Sequence, residues 1–568
     1  MEIWRIEILT SAYTFMLVNQ TSIHLNLTIM KNLILSAIAL LATTVMFGQI
    51  TTWQSGIGNT AQGTQLNGTV PNPNVSNMDQ WGNFNFVDTY QDGEGNFSDT
   101  DQGNSVDLSN NNTIDVDQLG DHNKSYVEQI GDDNDSFVLQ EGDYNFSDVY
   151  QKGDANTAYL DQWGDRNSNN QNQLGDSNSA EAYQYGDKNS SQLDQQGDDH
   201  SSYTNQEGNK NKAATIQLGD SNLADLNQEG NQNEGDIFQS GDSNSADLLQ
   251  LGNKNKGSIS QNGDANAAYS HQEGNKNKAK MNQTGDSNAA SLGQFGNNNN
   301  SVLSQSGNAN SAVSLQTGNT NNSIINQSGN NNYVLSTQSN NNNRSEIDQT
   351  GNLNSASLMQ NGKQNVSDID QIGDFNYVDV KQTGIKNTNL SYQQGDFNSN
   401  GVTQTGNKND NFVVQFGDAN SNTITQAGKN NDNTSLQIGD FNFNQITQTG
   451  NKNDSDVLQL GDSNKNKTQQ LGNKNVSDVR QFGDLNCSDV YQLGNKNNAI
   501  VDQTGNSNTA TIDQRGNNFT ATIIQTPGAF NNTATIEQGS FFGPVGPITS
   551  TIIQNGSSNL AVVKTNQL

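Results

Sequence analysis

Cysteine, proline, histidine and basic residues are all scarce in this chain of 568 residues. A single cysteine, Cys487, excludes an intramolecular disulfide framework and any multi-cysteine metal site. It lies just after a turn Asn and reads as an exposed thiol. Only 27 Lys and Arg stand against 59 Asp and Glu, a formal charge of -32. That balance disfavours nucleic acid, whose phosphates need a basic patch, and it disfavours anionic membrane. The four histidines (His24, His122, His200, His271) share no ligand spacing. His122 and His200 read as turn residues and His271 as an outward one, all on the variable surface. Serine is abundant, but no G-x-S-x-G elbow accompanies a histidine. No enzyme chemistry and no cofactor are expected. Hydrophobic residues make up 30% of the chain, too few for thick cores at this length. What fills the rest is Asn, Gln, Ser and Thr with 54 Gly and 5 Pro.

One long apolar run is present. Met30 to Gln49 reads MKNLILSAIALLATTVMFGQ, with Lys31 as a positive start, Leu33 to Phe47 as an apolar centre and Gly48 at the cleavage point. The run is short and weakly flanked for a membrane span, so it reads as an export signal. Met30 is taken as the initiator and residues 1–29 as an upstream extension that is not translated.

The remainder of the chain keeps an eleven-residue clock. Glutamine recurs from Gln118 to Gln525 at every eleventh position, 38 times without a miss. The same spacing appears earlier at Gln54 and Gln65 and at Gln80, Gln91 and Gln102. It resumes at Gln538 and Gln554 after insertions. Five prolines (Pro71, Pro73, Pro527, Pro544, Pro547) mark insertions near the two ends. The unit reads Q-x-G-[DN]-x-N-x-[small]-x-[aliphatic]-x, as in Gln118-Leu119-Gly120-Asp121-His122-Asn123-Lys124-Ser125-Tyr126-Val127-Glu128. Within the unbroken block Asn340 and Pro527 replace the glycine, and His200 replaces the second Asn.

A period of two places Asn123, Ser125, Val127 and Gln129 on one face of a strand and Lys124, Tyr126 and Glu128 on the other. Those inward positions scatter around a helical wheel, so helix is excluded. Gly-[DN]-x-Asn makes the turn, with Gly at positive φ and Asn or Asp tolerating a left-handed backbone. A lone unit buries one aliphatic side chain, worth roughly 1.5–3 kcal/mol. Ordering its backbone costs about 1–2 kcal/mol per residue, so the units must stack. Stacked amides about 4.8 Å apart can donate to one neighbour and accept from the other. The expected ladder residues include Gln151, Gly153, Asn156 and Gln162; Gln283, Gly285, Asn288 and Gln294; and Gln503, Gly505, Asn508 and Gln514.

The residue after glycine alternates Asn209, Asp220, Asn231, Asp242, Asn253, Asp264, Asn275, Asp286, which makes the larger period 22 residues. Lysines (Lys210, Lys212, Lys254, Lys256) accompany the Asn turns. Asp374, Asp396, Asp418, Asp440, Asp462 and Asp484 keep the same phase. Two strands and two turns per rung predict an all-β fold, a long β-solenoid with two facing parallel sheets. The stacked aspartates Asp220, Asp242, Asp264, Asp286, Asp418, Asp440, Asp462 and Asp484 form an acidic edge. A divalent cation could bridge it, but a solvated edge that discourages lateral sticking is favoured over that reading. Outward aromatics that follow Gln, such as Trp163, Tyr185, Phe295 and Phe416, are candidate sticky patches. Five segments are expected: 1–29 upstream, 30–48 export signal, 49–79 a polar stretch with degenerate repeats, 80–525 the solenoid, and 526–568 irregular repeats.

The spacing of Gln, Gly, Asn, small residue and Gln resembles the curlin repeat, the pattern of curli amyloid subunits, written S-x5-Q-x-G-x-x-N-x-A-x3-Q. Gln151, Gly153, Asn156, Ala158 and Gln162 match it, as do Gln503, Gly505, Asn508, Ala510 and Gln514. The chain departs from that pattern in its many rungs and in its frequent lack of the leading Ser. The resemblance implies a secreted, extracellular structural protein that self-associates into fibres for adhesion and biofilm matrix. It also implies a minor nucleating subunit and a curli-type secretion pore as partners, with abiotic or host surfaces as targets. A second reading is a capped monomeric β-solenoid adhesin at the cell surface, with the proline insertions as caps. Ice binding needs a regular outward Thr face, and the outward residues are mixed. N-terminal sequencing of the exported protein is expected to begin at Gln49; recovery of residues upstream of Met30 would overturn the start-site reading.

Overall fold

The computed structural model describes residues 48–68, 72–540 and 546–567. The upstream extension and all of the export signal but Gly48 lie outside the described residues. Every regular element among the described residues is a β-strand. The chain divides into two compact units, residues 1–275 and 276–568. Each is a two-sheet parallel β-solenoid, as the repeat arithmetic predicts.

In the first unit Phe146–Lys152 pairs in parallel with Lys124–Ile130 on one side and Ser168–Leu174 on the other. Gln151 lies opposite Gln129 and Gln173, a step of 22 residues in each direction. The intervening strand Thr157–Trp163 belongs to the second sheet, between Asp135–Glu141 and Ser179–Tyr185. The second unit repeats the scheme. Asn300–Ser306 lies between Lys278–Thr284 and Asn322–Ser328, and Ser311–Thr317 between Ala289–Phe295 and Tyr333–Ser339. Burial alternates along each strand. Ser125, Val127 and Gln129 are buried while Lys124, Tyr126 and Glu128 are exposed. The sheets touch through the inward residues, and Ser301 Oγ lies 3.0 Å from Ser314 Oγ of the facing strand.

The turns differ from expectation in one respect. Glycine does take positive φ, as at Gly153 (φ 127°), where a Cβ would sit 2.1 Å from the carbonyl oxygen of Gly175 in the next rung. The left-handed residue, however, is the variable one that follows Asp or Asn: His122 (φ 62°), Tyr144 (φ 60°), Lys210 (φ 61°), Phe375 (φ 58°). That conformation costs an ordinary side chain roughly 1–2 kcal/mol. The inter-rung bonds on either side of it offset the cost: Tyr144 N–H donates to the Asp121 carbonyl at 2.9 Å, and the next such bond, Arg166 to Asp143, is 2.8 Å. The Asp or Asn instead supplies an acceptor. Asp143 Oδ1 takes the N–H of Asp121 at 2.9 Å.

Insertions are absorbed at the turns. Residues 103–108 loop out, Asn104 Oδ1 accepts the N–H groups of Val106 and Asp107 at 2.9 Å each, and Ser109–Asn110 re-enters opposite residues 82–83. Past Gln525 the register shifts so that Ala529 lies opposite Gly505. Pro527 falls in that shift. Pro71 and Pro544 lie outside the described residues. Pro73 precedes Asn74–Asn83 and Pro547 precedes Ile548–Gln554, both of which are paired strands. A final strand, Leu560–Gln567, places Thr565 opposite Gln538 and escapes a count of glutamines.

Gln316 accepts from Gln294 at 2.9 Å and donates to Gln338 Oε1 at 2.9 Å and to the Asn300 carbonyl at 3.0 Å. Replacing Gln316 by Leu strips all three bonds, and local stability should fall by about 1–3 kcal/mol. Tyr269→Ser, on an exposed outward position, should change it far less. Hydrogen exchange of the neighbouring rungs measures both, and equal effects would count against the inward assignment.

Candidate functional site

The feature with the most specific chemistry is the ladder of buried amides. Gln151 Nε2 donates to Gln173 Oε1 at 2.8 Å and to the Asp135 carbonyl, at the start of a facing strand, at 3.1 Å. Gln162 does the same with Gln184 at 2.7 Å and the Phe146 carbonyl at 3.1 Å. Gln283 and Gln294 donate to Gln305 and Gln316 at 2.9 Å. Gln503 and Gln514 donate to Gln525 and Gln538 at 2.9 Å. Both N–H bonds of Gln151 and Gln162 are thus used, and a buried amide left unpaired would cost about 1–3 kcal/mol. The ladder is directional. Donors point toward later rungs and acceptors toward earlier ones.

The asparagines stack by another route than side chain to side chain. Asn156 Nδ2 reaches the Gly175 carbonyl at 2.8 Å, and Asn156 Oδ1 accepts the backbone N–H of Asn178 at 3.0 Å. A side-chain bond, Asn156 Nδ2 to Asn134 Oδ1 at 3.0 Å, supplements this. Asn288 Nδ2 reaches the Gly307 carbonyl at 2.7 Å, and Asn508 Nδ2 reaches Asn486 Oδ1 at 3.1 Å. Gly285 (φ 101°) and Gly505 (φ 121°) hold the same turn conformation as Gly153.

His200 is a correction to the sequence reading. It is buried, not on the surface. Its N–H donates to Asn178 Oδ1 at 3.0 Å, its Nδ1 accepts the N–H of Asn222 at 3.2 Å, and its Nε2 donates to the Gln196 carbonyl at 3.2 Å. One nitrogen accepts and the other donates, so a neutral imidazole reproduces the asparagine amide. Phe519 also takes an asparagine position, fully buried, with its N–H on Asn497 Oδ1 at 3.1 Å. Cys487 is half-buried, and burial together with Asp489 pushes its thiol up, away from thiolate.

The acidic edge is built from turn carboxylates that serve the backbone. Asp242 Oδ1 accepts the Asp220 N–H at 3.0 Å, and Asp264 Oδ1 accepts the Asp242 N–H at 2.9 Å. Asp286 N–H donates to Asn308 Oδ1 at 2.9 Å. Asp418, Asp440, Asp462 and Asp484 repeat this, with Asp484 N–H on Asn506 Oδ1 at 3.0 Å. Among the described residues, no three His, Cys, Asp or Glu side chains gather into a metal-binding group.

The outward faces carry two further features. Phe137 and Tyr159 stack at 4.9 Å, Tyr159 meets Tyr183 at 5.2 Å, and Tyr183 meets Tyr203 at 5.6 Å. Beside them Trp163 contacts Tyr185 at 6.1 Å, and Tyr185 Oη donates to Asp161 Oδ2 at 3.2 Å. Trp163 is exposed, whereas Tyr185, Phe295 and Phe416 are half-buried. The second feature is like charge in register. Asp115 lies opposite Asp88, Asp225 opposite Asp247, Asp370 opposite Asp348, and Asp454 opposite Asp432.

The profile of the curlin associated repeat matches residues 110–142, 172–203, 204–230, 230–256, 252–285, 351–384, 488–516 and 505–539. The chain carries curlin associated repeats in these eight stretches. No curated protein sequence matches it. A β-solenoid of curlin repeats is a structural fold, and the three ladder sets named above are its repeating Gln-Gly-Asn-Gln frame.

Burial and like-charged neighbours raise Asp101, Asp115, Asp225, Asp370 and Asp454 to about 6. The folded chain then holds these protons more tightly than the unfolded one. Their stabilising contribution is present below the ordinary aspartate value of 3.8 and is lost as pH rises through about 6. The melting temperature should therefore rise between neutral pH and the pH 4–5 region, and a fall over that interval would contradict the placement of these carboxylates.

Proposed function

We propose that the protein is an exported structural subunit of curli type that polymerises into extracellular amyloid fibres for adhesion and biofilm matrix. The observation that carries this reading is the directional amide ladder. Each rung offers donors on one side and acceptors on the other. Parallel strand edges stand beside them, so another copy adds head to tail through bonds already used within the chain. The insertions support the same reading. Paired strands lie on the outer side of Pro73, at residues 48–66, and continue past Pro527 and Pro547, which supports their not ending the stack as caps would. Export through a curli-type pore and nucleation by a minor subunit complete the proposal, and the aromatic patch around Tyr159 and Tyr183 is its contact with abiotic or host surfaces.

Purified protein without the export signal is expected to form fibres that diffract at the strand spacing of about 4.8 Å. Preformed fragments should abolish its lag phase. A stable monomer at high concentration, inert to seeds, would favour the monomeric surface adhesin instead.

A further inference from the structure

The turns of residues 360–497 segregate charge by edge. The facing strands run in opposite directions, because the glutamine ending one bonds the carbonyl that starts the other, as with Gln426 and the Asp410 carbonyl at 2.7 Å. Successive turns therefore lie on opposite edges. On one edge Lys386, Lys408, Lys452, Lys474 and Lys496 occupy the left-handed position. Lys363 and Lys429 stand one residue earlier in the two remaining rungs, so seven consecutive rungs carry a lysine. All seven are exposed, and none belongs to an ion pair among the described residues. Asp410, Asp432 and Asp454 begin the strands that follow three of these turns and face outward from the sheet.

The opposite edge carries Asp374, Asp396, Asp418, Asp440, Asp462 and Asp484 in six consecutive rungs; the turns themselves hold no cation, and Lys465 begins the strand that follows the Asp462 turn. Each of Asp396, Asp418, Asp440 and Asp462 uses Oδ1 for the N–H of the preceding turn at 2.8–2.9 Å. The second oxygen is left without a hydrogen-bond partner among the described residues. Between these carboxylates Phe375, Phe397, Phe441 and Leu485 are exposed by 47–65%. Phe375 and Phe397 stack at 4.8 Å.

We propose that residues 360–497 form a lateral self-association site, in which the lysine edge of one molecule seats on the aspartate–phenylalanine edge of a second copy lying beside it. Both edges present one charge per rung at the same strand spacing, so their charges match one to one along the contact. The lysine stems cover the exposed rings while their ammonium groups reach the free carboxylate oxygens. A single exposed ion pair is weak, and a series of six acts as a multivalent contact. The contact is heterologous and does not close, so it builds a ribbon of side-by-side molecules. It is separate from head-to-tail growth.

Two charge-rewritten full chains test this. The first changes Asn407→Asp with Lys408→Ser, Asn451→Asp with Lys452→Ser, and Asn473→Asp with Lys474→Ser. The second changes Asp396→Asn with Phe397→Lys, Asp418→Asn with Ala419→Lys, and Asp440→Asn with Phe441→Lys. Each borrows turn residues that the opposite edge already uses, so folding is retained and circular dichroism verifies it. Electron microscopy and sedimentation at low salt should show lateral pairing of the native chain, dispersed by about 1 M salt, where the screening length is ~3 Å. Either variant alone should lose most pairing, and an equimolar mixture should recover it. A native chain that never pairs, variants that pair as the native chain does, or a mixture that stays dispersed would overturn the proposal. Particle length reports head-to-tail growth and width reports this contact, so the two failures are distinguishable.

Discussion

A carboxamide shut away from water has to satisfy two N–H donors and at least one oxygen at once. Among the described residues the groups that most often do so are the same amide one rung away and a carbonyl of the facing sheet, as for Gln316. Gln316, with its three partners at 2.9–3.0 Å, shows why nothing but another glutamine suits the neighbouring position. Leu lacks the donors, Asn lacks the reach, and Glu brings a charge that the narrow interior cannot solvate. Strict repetition of residue type follows from that geometry. It also explains how a chain with 30% hydrophobic residues orders so much backbone: the interior is held as much by matched polar groups as by its single aliphatic per strand.

The ladder gives the stack a polarity that a purely apolar core would lack. Buried Val149 packs equally well against Val127 or a residue above it, because dispersion has no direction. The amide does have one, and so does the turn, where each Asp or Asn oxygen takes the N–H of the rung before it. The glutamine and turn bonds therefore agree on which side of a rung accepts and which donates, whereas each asparagine Oδ1 takes the N–H of the rung after it, as Asn156 does from Asn178. A copy added in the opposite sense would set like ends against each other in the glutamine and turn sets.

Much of this was legible in the sequence because a ladder demands identity, and identity is visible as phase. The inward face came from the spacing of Gln, Asn, small and aliphatic residues, and the 22-residue rung with its two sheets from the alternation of Asn and Asp after glycine. What escaped was carried by groups without a sequence signature. The left-handed turn position accepts His, Tyr, Lys, Phe, Ser and Ala alike, because the backbone bonds around it impose the conformation. The asparagine ladder runs through main-chain N–H and C=O groups that every residue type has. His200 was misread because imidazole resembles a surface residue by type and an amide by hydrogen bonding. Phe519 keeps the backbone half of the asparagine pattern and fills the rest with a ring. Thr565 sits where the glutamine count had ended.

The turn after glycine separates what the fold requires from what it leaves open. Its requirement is an oxygen to accept the preceding N–H, and Asn meets it as well as Asp. Asn451 N–H reaches Asn473 Oδ1 at 2.9 Å, and Asp440 N–H reaches Asp462 Oδ1 at 2.9 Å. Choosing Asp in consecutive rungs stacks like charges one strand spacing apart, which opposes folding by mutual repulsion. The neutral alternative was available at the same geometry and is used on the other edge of the same rungs. Six aspartates in succession are therefore not explained by the backbone they serve. In the proposed lateral contact that charge meets the lysines of the opposite edge, which carry the sign and spacing that fit it, in place of the solvated edge expected from the sequence.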